Sequence, residues 1–437
     1  MVGPTLGCGR SACKKDPNRS ASGLAFRGQA ARLRETHRLR RIDVRERKLR
    51  LVDGALTLLQ RRQNLVAIST AMAVNALIYS LSMPLLSLVM DARGINGTLI
   101  GLSASAQSVG IVLMAPLLPT YMSRFGPATL MLGSILVSLV VFLLLPVFPS
   151  VGAWFVLRFM IGSAGGVLWI CGDAWINSVA TEKVRGRVVA IYGVAVGVGF
   201  FLGPFVLGAT GSDGIAPFLV LSGIILLSVP PLLTVIRIAP SMHGERVGGL
   251  HRYFALAPVP MLMCLAYAIS ETIMFVFLAL YGIEQGLAEK QSVYLIMCLG
   301  MGGMLGQYPI GWLADHMNRL LLASLSTLFV MLAAAAVPFV IAIPIWNMVL
   351  MMFLGAVATG VYTIGMVMVG EQFRGADLAA ASALYGLMFG LGGILGPILG
   401  GPAMEFLPPH GVPLLVAAMY AIFLPVPVIA LLRKRRR

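Results

Sequence analysis

Apolar runs of about 20 residues recur along this chain, and that is the length a helix needs to cross a hydrocarbon core of about 30 Å. They fall at roughly 65–89, 98–120, 127–148, 151–178, 187–209 and 216–238, and then at roughly 254–282, 290–313, 319–343, 345–369, 377–404 and 411–432. The fourth, seventh and eleventh are long enough to tilt or project from the bilayer. Only 11% of residues are charged while 58% are hydrophobic, against about 25% charged residues in soluble domains. The expectation is an all-α membrane protein with twelve transmembrane helices.

The charge distribution orients those helices. The net charge of +16 would suit nucleic acid binding, but sixteen of the 33 Lys and Arg precede residue 65 and five form the tail Arg433, Lys434, Arg435, Arg436, Arg437. Loops after even-numbered spans carry Arg124, Lys183, Arg185, Arg187, Arg237, Arg246, Arg252, Arg319 and Arg374; the opposite loops hold only Arg93 and Lys290. The positive-inside rule then puts both termini in the cytoplasm. No nucleic-acid partner is expected.

Residues 1–64 are basic, with HRLRRIDVRERKLR inside them, and have no apolar core of a secretory signal before the first span. Three readings stand side by side: a disordered arm on anionic headgroups, a short amphipathic helix over 38–60, or a translation start that lies nearer the first span. Cys8, Cys13, Cys171, Cys264 and Cys298 form no CxxC pair, so neither a disulfide nor a structural metal is expected.

The chain is duplicated. Ala190–Pro204 reads AIYGVAVGVGFFLGP and Ala383–Pro397 reads ALYGLMFGLGGILGP, identical at eight of fifteen positions at an offset of 193. The same offset pairs Gly162 with Gly355, and Arg185-Gly186 has a near counterpart in Arg374-Gly375. An even number of spans per half gives two halves of the same orientation, related by an axis along the membrane normal. Residues 65–238 and 253–433 are the expected six-helix bundles, 239–252 the cytoplasmic linker and 434–437 a basic tail. Gly193 with Gly197, Gly199 with Gly203, Gly386 with Gly390 and Gly392 with Gly396 share helix faces where backbones can approach closely. Gly203-Pro204 and Gly396-Pro397 add an expected bend, because proline removes a backbone hydrogen bond.

These residues carry a resemblance to the major facilitator superfamily over about 65–433. In that family, the loop between the second and third spans and its counterpart after the eighth read Gly, any, Leu, Ala, Asp, Arg, any, Gly, Arg. Gly311–Arg319, GWLADHMNR, fits with His316 in place of Arg and Asn318 in place of Gly. The first-half copy, PTYMSRFG from Pro119 to Gly126, keeps Arg124 and Gly126 but has Ser123 where the acid belongs. Arg158, in LRFMIGSAGG, looks like the family's fourth-span arginine, and Gly203-Pro204 looks like its fifth-span antiporter motif. WICGDAWINSVATEKVRGR (Trp169–Arg187) and GQYPIGWLADHMNRL (Gly306–Leu320) resemble a sparsely characterised bacterial branch of transporters. The resemblance implies two pseudo-symmetric six-helix bundles, multi-pass insertion in a bacterial cytoplasmic (inner) membrane, and a cavity lined by the first, fourth, seventh and tenth spans.

A charge near the bilayer centre costs at least about 2.5 kcal/mol on insertion scales, so each needs a reason. Glu271 lies deepest, near the middle of the seventh span. It carries a coupling proton, binds a cationic substrate, or is a neutral structural acid. Arg158 binds an anion, regulates proton movement, or snorkels to the outer surface. Asp173 can meet Arg124 or Arg185, and Glu371 can meet Arg319. With Asp315 and Arg374 these form an expected cytoplasmic gate, unless they are static helix-end pairs. Asp315 can alternatively cap the eleventh span. Asn75, Tyr79, Gln107, Trp169, Tyr267 and Tyr362 are the expected cavity residues. All five histidines lie outside the spans' cores, so proton coupling would run through carboxylates.

No GxxxxGK[ST] loop is present, so ATP binding is not expected, and neither HExxH nor a nucleophile and base pair suggests an enzyme. No cofactor is expected. The reading is a secondary active transporter working by alternating access, coupled to protons and exporting a small amphiphilic molecule as an antiporter. Metabolite or sugar uptake or uniport is the alternative. A non-transporting receptor or scaffold on the same fold is a further one.

Overall fold

A backbone in hydrocarbon must satisfy its own hydrogen bonds, and a long apolar run does so by closing into a helix. The computed structural model describes residues 58–179, 185–236 and 250–435. Twelve helices among them are long and apolar enough to cross a bilayer. The first bundle holds α1 (Gln60–Asp91), α2 (Gly97–Met114), α3 (Pro127–Leu144), α4 (Val151–Ile176), α5 (Ala190–Thr210) and α6 (Ala216–Val235). The second holds α7 (Pro258–Glu284), α8 (Glu289–His316), α9 (Arg319–Val340), α10 (Trp346–Gln372), α11 (Ala380–Phe406) and α12 (Gly411–Arg433). The basic extension through residue 57, most of the linker and the last two residues lie outside the described residues.

Successive helices alternate in direction. The starts of odd helices and the ends of even ones therefore share one face, the terminal face, and the remaining ends make up the far face. The outer surface is apolar, with Phe339 and Ile422 each 80% exposed, as suits a protein solvated by lipid. α1 and α7 are the most enclosed of the twelve.

α2 is shorter than the expected 98–120. It stops at Met114, and a separate short helix follows over Leu118–Phe125. Pro116 and Pro119 lack the amide that would continue the ladder. The two related loops also end differently. Gly126 has φ +77°, a conformation that glycine reaches without a Cβ penalty, immediately before α3. Asn318 instead caps α9, its side chain accepting from Leu320 N at 3.0 Å and Leu321 N at 3.3 Å. The substitution of Asn for Gly thus replaces a turn residue by a helix cap.

The duplication is visible in the packing. A Cβ added at Gly162 would meet the Gln107 carbonyl, and one at Gly355 would meet the Leu299 carbonyl, so α2 on α4 and α8 on α10 use the same close approach. Ser80 Oγ lies 3.4 Å from the Gly199 carbonyl and Thr272 Oγ1 3.5 Å from the Gly392 carbonyl, as donors. A Cβ at Gly203 would meet Ser80 Oγ, and one at Gly396 would meet Thr272 Oγ1. α5 on α1 and α11 on α7 are therefore equivalent contacts. This register sets Tyr79 equivalent to Glu271, and the offset of 193 sets Trp169 equivalent to Tyr362.

The expected glycine pairs do not all pack alike. Gly199 and Gly203 face α1, and Gly392 and Gly396 face α7, whereas Gly197 lies against Met304 and Gly390 against Val112, across the bundle interface. Gly193 and Gly386 have nothing within 4 Å of an added Cβ, so they make no close helix contact. Pro204 and Pro397 both sit inside continuous helices.

Candidate functional site

Between the bundles lies a cavity of about 280 Å³, lined chiefly by α5, α7, α8 and α10, with Trp169 of α4, Val330 of α9, Phe389 of α11 and Val416 of α12 as single contributions. α7 supplies its acid. Tyr267, Glu271 and Phe275 are spaced four residues apart and so share one helix face; all three line the cavity. The Tyr267 hydroxyl donates to Glu271 Oε1 at 2.7 Å, and Glu271 Oε2 has no hydrogen-bond partner. Glu271 is half-buried because one side of it borders the cavity. Salt bridges among the described residues give it no cationic partner.

Aromatic rings flank this acid on both sides. Phe275 and Phe200 lie with centroids 6.0 Å apart, and Tyr79 is 6.0 Å from each of them. Trp169 joins the same group, 6.4 Å from Phe200. On the other side Tyr267 and Tyr362 are 5.2 Å apart, and Phe389 is 6.2 Å from each. The first group comes mainly from the first bundle and the second group from the second. These edge-on and tilted geometries are those that ring quadrupoles favour.

Trp169, Tyr267 and Tyr362 thus line the cavity, and Tyr79 packs against its rings. Asn75 and Gln107 do not. Asn75 is 4% exposed and donates to the Gly165 carbonyl at 3.4 Å, while Gln107 is 2% exposed and donates to Ser82 Oγ at 3.5 Å. Both serve contacts inside the first bundle: the close approach of α2 to α4 at Gly162 fixes how Gln107 faces, and Asn75 of α1 packs at Gly165 of α4. Sequence reasoning missed Tyr192, Phe200, Phe275, Gln307, Thr359 and Phe389. Only the four-residue spacing of Phe275 from Glu271 could have signalled one of them.

Arg158 is completely buried, and its Nε and both Nη atoms have no partner among the described residues. It does not snorkel. α2 and α4 run parallel, so the Gly162 and Gln107 contact places Arg158 and Ser103, each one turn earlier, on facing surfaces; Ser103 Oγ is also buried and partnerless. Leaving a cation so is costly, by several kcal/mol even after relaxation.

The expected gate residues separate. Asp173 accepts from the Tyr192 hydroxyl at 2.5 Å, which joins α4 to a cavity residue of α5. Arg124 meets no carboxylate among the described residues, and its guanidinium lies 5.2 Å from the Phe125 ring centroid. The Arg185 side chain lies outside the described residues. Arg319 Nη2 is 2.6 Å from Glu371 Oε1, and both groups are substantially exposed. That pair ties α9 to α10 inside the second bundle and does not bridge the two bundles. Arg374 Nη1, just beyond α10, donates to the Gly370 carbonyl in the last turn of α10 at 2.6 Å. Asp315 is exposed and does not cap the helix that starts at Gly375 and continues as α11; Arg374, which precedes that start, makes no side-chain cap. His316 donates from Nδ1 to the Trp312 carbonyl at 2.7 Å and stacks on that indole at 4.4 Å.

Contacts between bundles concentrate at the far face. A Cβ at Gly101 would meet the Pro397 carbonyl, one at Gly401 the Gly97 carbonyl, and one at Gly208 the Tyr294 ring at 2.5 Å. Glu405 and Glu289, both of the second bundle, accept backbone amides of Thr98 at 3.2 Å and Ser212 at 2.8 Å. The cavity lies on the terminal-face side of these contacts.

Comparison with known proteins fits this architecture. The chain matches the profile described as Major Facilitator Superfamily over residues 68–361 and 305–437. It is 28% identical over 337 residues to the "Uncharacterized MFS-type transporter YfkF" of Bacillus subtilis (strain 168), covering 74% of this chain and 84% of that protein. To YcaD of Salmonella enteritidis PT4 (strain P125109), named likewise, it is 24% identical over 275 residues, 62% of this chain and 71% of that one. Among solved structures, the nucleoside transporter NupG superposes with a TM-score of 0.67 at 15% identity, over 84% of this chain and 98% of NupG. A bacterial homologue of the human lysosomal transporter Spinster, solved inward-facing and unoccupied, gives 0.66 at 13%, over 86% and 94%.

Proposed function

The chain belongs to the Major Facilitator Superfamily, and we propose that within it this protein is a proton-coupled exporter of a small amphiphilic molecule, with Glu271 as the group that carries the proton. It is a membrane-spanning secondary transporter that works by alternating access, and it is not an enzyme. The observation that carries the proposal is an acid near mid-membrane that lines the cavity and has no cationic partner. An ionised carboxylate in that position is costly, so binding a proton and binding substrate are both favourable there.

Tyr79, Tyr267, Tyr362, Tyr420 and Cys264 are the titratable groups that surround Glu271 from α1, α7, α10 and α12. None of them carries positive charge, so a proton is the natural counter-charge when the cavity holds no substrate. The charge asymmetry of the loops supports a cytoplasmic terminal face in a bacterial inner membrane. The far-face contacts then correspond to the inward-facing state, from which a rocking of the two bundles opens the other side. Asp173, joined to the cavity through Tyr192, would be a second acid along the route. An apolar lining with few amide and charged groups favours an amphiphile over a sugar.

A thermal-shift screen of metabolites and drugs on the purified protein identifies a ligand by mass action on the folded state. That ligand is then loaded into proteoliposomes under a pH gradient. Gradient-driven flux is expected with the native chain and is expected to vanish in Glu271→Gln that still melts cooperatively. Flux of undiminished pH dependence in that variant would remove the proton role.

A further inference from the structure

The cavity carries one ionisable acid, seven aromatic rings and no Lys, Arg or His among its lining residues. We propose that the transported substrate is an organic cation, an amine or quaternary ammonium with an aromatic or bulky apolar body, whose positive centre sits at Glu271 between the two groups of rings. This names the substrate class of the site and rests on reading the cavity as the transport site.

The chemistry runs as follows. Glu271 Oε1 is held by the Tyr267 hydroxyl, which fixes the carboxylate, while Oε2 is left without a partner. A buried carboxylate with an unpartnered oxygen attracts a cation and repels an anion. Rings add to this on both sides. A cation within about 6 Å of a ring centroid is drawn to the negative face of the ring, and ammonium groups are recognised in this way by aromatic cages. Phe275 stands one turn after Glu271 on α7 and joins Phe200 and Trp169 to the acid from the first bundle; Tyr362 and Phe389 stand on the second-bundle side.

The alternatives lack their donors. A phosphate, carboxylate or nucleotide would enter a cavity with no positive side chain to receive it, and Arg158, the buried cation of the first bundle, is not among the lining residues. A sugar would find Ser270, Thr359 and Gln307, while the Tyr192 and Tyr267 hydroxyls already donate to Asp173 and Glu271. The volume, about 280 Å³, lies just below the range of about 300 to 1,000 Å³ usual for ligand pockets, and so suits a compact cation.

The duplication sharpens the assignment. Glu271 occupies in the second half the place that Tyr79 holds in the first, so a single negative charge breaks an otherwise aromatic, pseudo-symmetric box. A charged body can then be oriented with its cationic end toward α7.

The test uses the full chain in detergent and three probes of similar shape: benzyltrimethylammonium, its neutral isostere neopentylbenzene, and benzenesulfonate. Calorimetry is expected to give saturable binding of the ammonium, at least about tenfold tighter than either of the others. Glu271→Gln is expected to weaken ammonium binding at least about tenfold while leaving the neutral probe unchanged, Glu271→Asp to retain part of the preference, and Phe200→Leu to weaken the ammonium more than the neutral probe. Equal binding of the isosteres, preference for the sulfonate, no saturable ammonium binding, or a preference that survives in Glu271→Gln overturns the inference. Loss of gradient-driven flux in Glu271→Gln together with absent ammonium binding would leave proton coupling standing and remove the substrate class. Ammonium binding that depends on Glu271, in a protein whose flux ignores the pH gradient, would do the reverse.

Discussion

Glu405, at the end of α11, accepts the Thr98 hydroxyl at 2.6 Å and the Thr98 amide at 3.2 Å, and so places a carboxylate from the second bundle on the first turn of α2 in the first. Asn96, the cap of α2, bonds the Leu99 amide at 3.1 Å and reaches Glu405 Oε1 at 3.5 Å. A negative charge at a helix N-terminus is favourable both through the open amides and through the helix dipole. Glu289 makes a second cross-bundle bond at the far face, accepting the Ser212 amide at 2.8 Å from the loop that follows α5.

Glu405→Ala is therefore expected to loosen the far face. The site is exposed, so the loss is about 1 kcal/mol, a population shift of about fivefold toward the state open at that face. Double electron–electron resonance between labels on the far-face ends of α2 and α11 reads it directly. An unaltered distance distribution would show that Glu405 does not hold this closure.

Glycine substitutions should separate by position. Gly162→Ala and Gly355→Ala each push a methyl into a facing backbone carbonyl, that of Gln107 or Leu299, and are expected to destabilise by about 1–3 kcal/mol. Gly386→Ala meets nothing within 4 Å and improves helix propensity, so its unfolding temperature in detergent should match or exceed that of the native chain. Equal losses at all three positions would contradict the packing described.

For Arg319 and Glu371 a double-mutant cycle on thermal unfolding should return a coupling of no more than about 1 kcal/mol, reduced by salt, because both side chains are exposed. Since the pair lies within one bundle, breaking it should leave the distances between bundles unchanged. A shift in those distances would restore a gating role to the pair.

Arg158→Met should raise the unfolding temperature while impairing transport. Methionine fills similar space without three partnerless nitrogens, and replacing a buried charge by a well-packed apolar group is often stabilising by about 1–4 kcal/mol. A lower unfolding temperature in a variant that still transports would mean that Arg158 is structural.

The span pattern, the duplication and the lone acid at Glu271 are legible in the sequence because each is a one-dimensional signal: length of an apolar run, an offset, a charge far from any loop. Trp169, Tyr267 and Tyr362 follow from the helices expected to face the cavity. Asn75, on the first of those helices, and Gln107, on α2, face elsewhere, because rotation of a helix about its axis is set by its neighbours, here by Gly165 against Asn75 and Gly162 against the Gln107 backbone. Phe200, Phe275 and Phe389 are invisible in runs already rich in apolar residues, where a ring that lines a cavity and a ring that packs look alike.

What the amino-acid order determines by itself is thus which segments cross the bilayer, that two halves repeat, and where a charge is placed at a cost. Which residues meet across the bundles was decided by tertiary structure. Tyr79 comes to the rings beside Glu271 from nearly 200 positions away, and Glu405 to Thr98 from 307, because helices joined only by packing and a few hydrogen bonds choose their partners by shape.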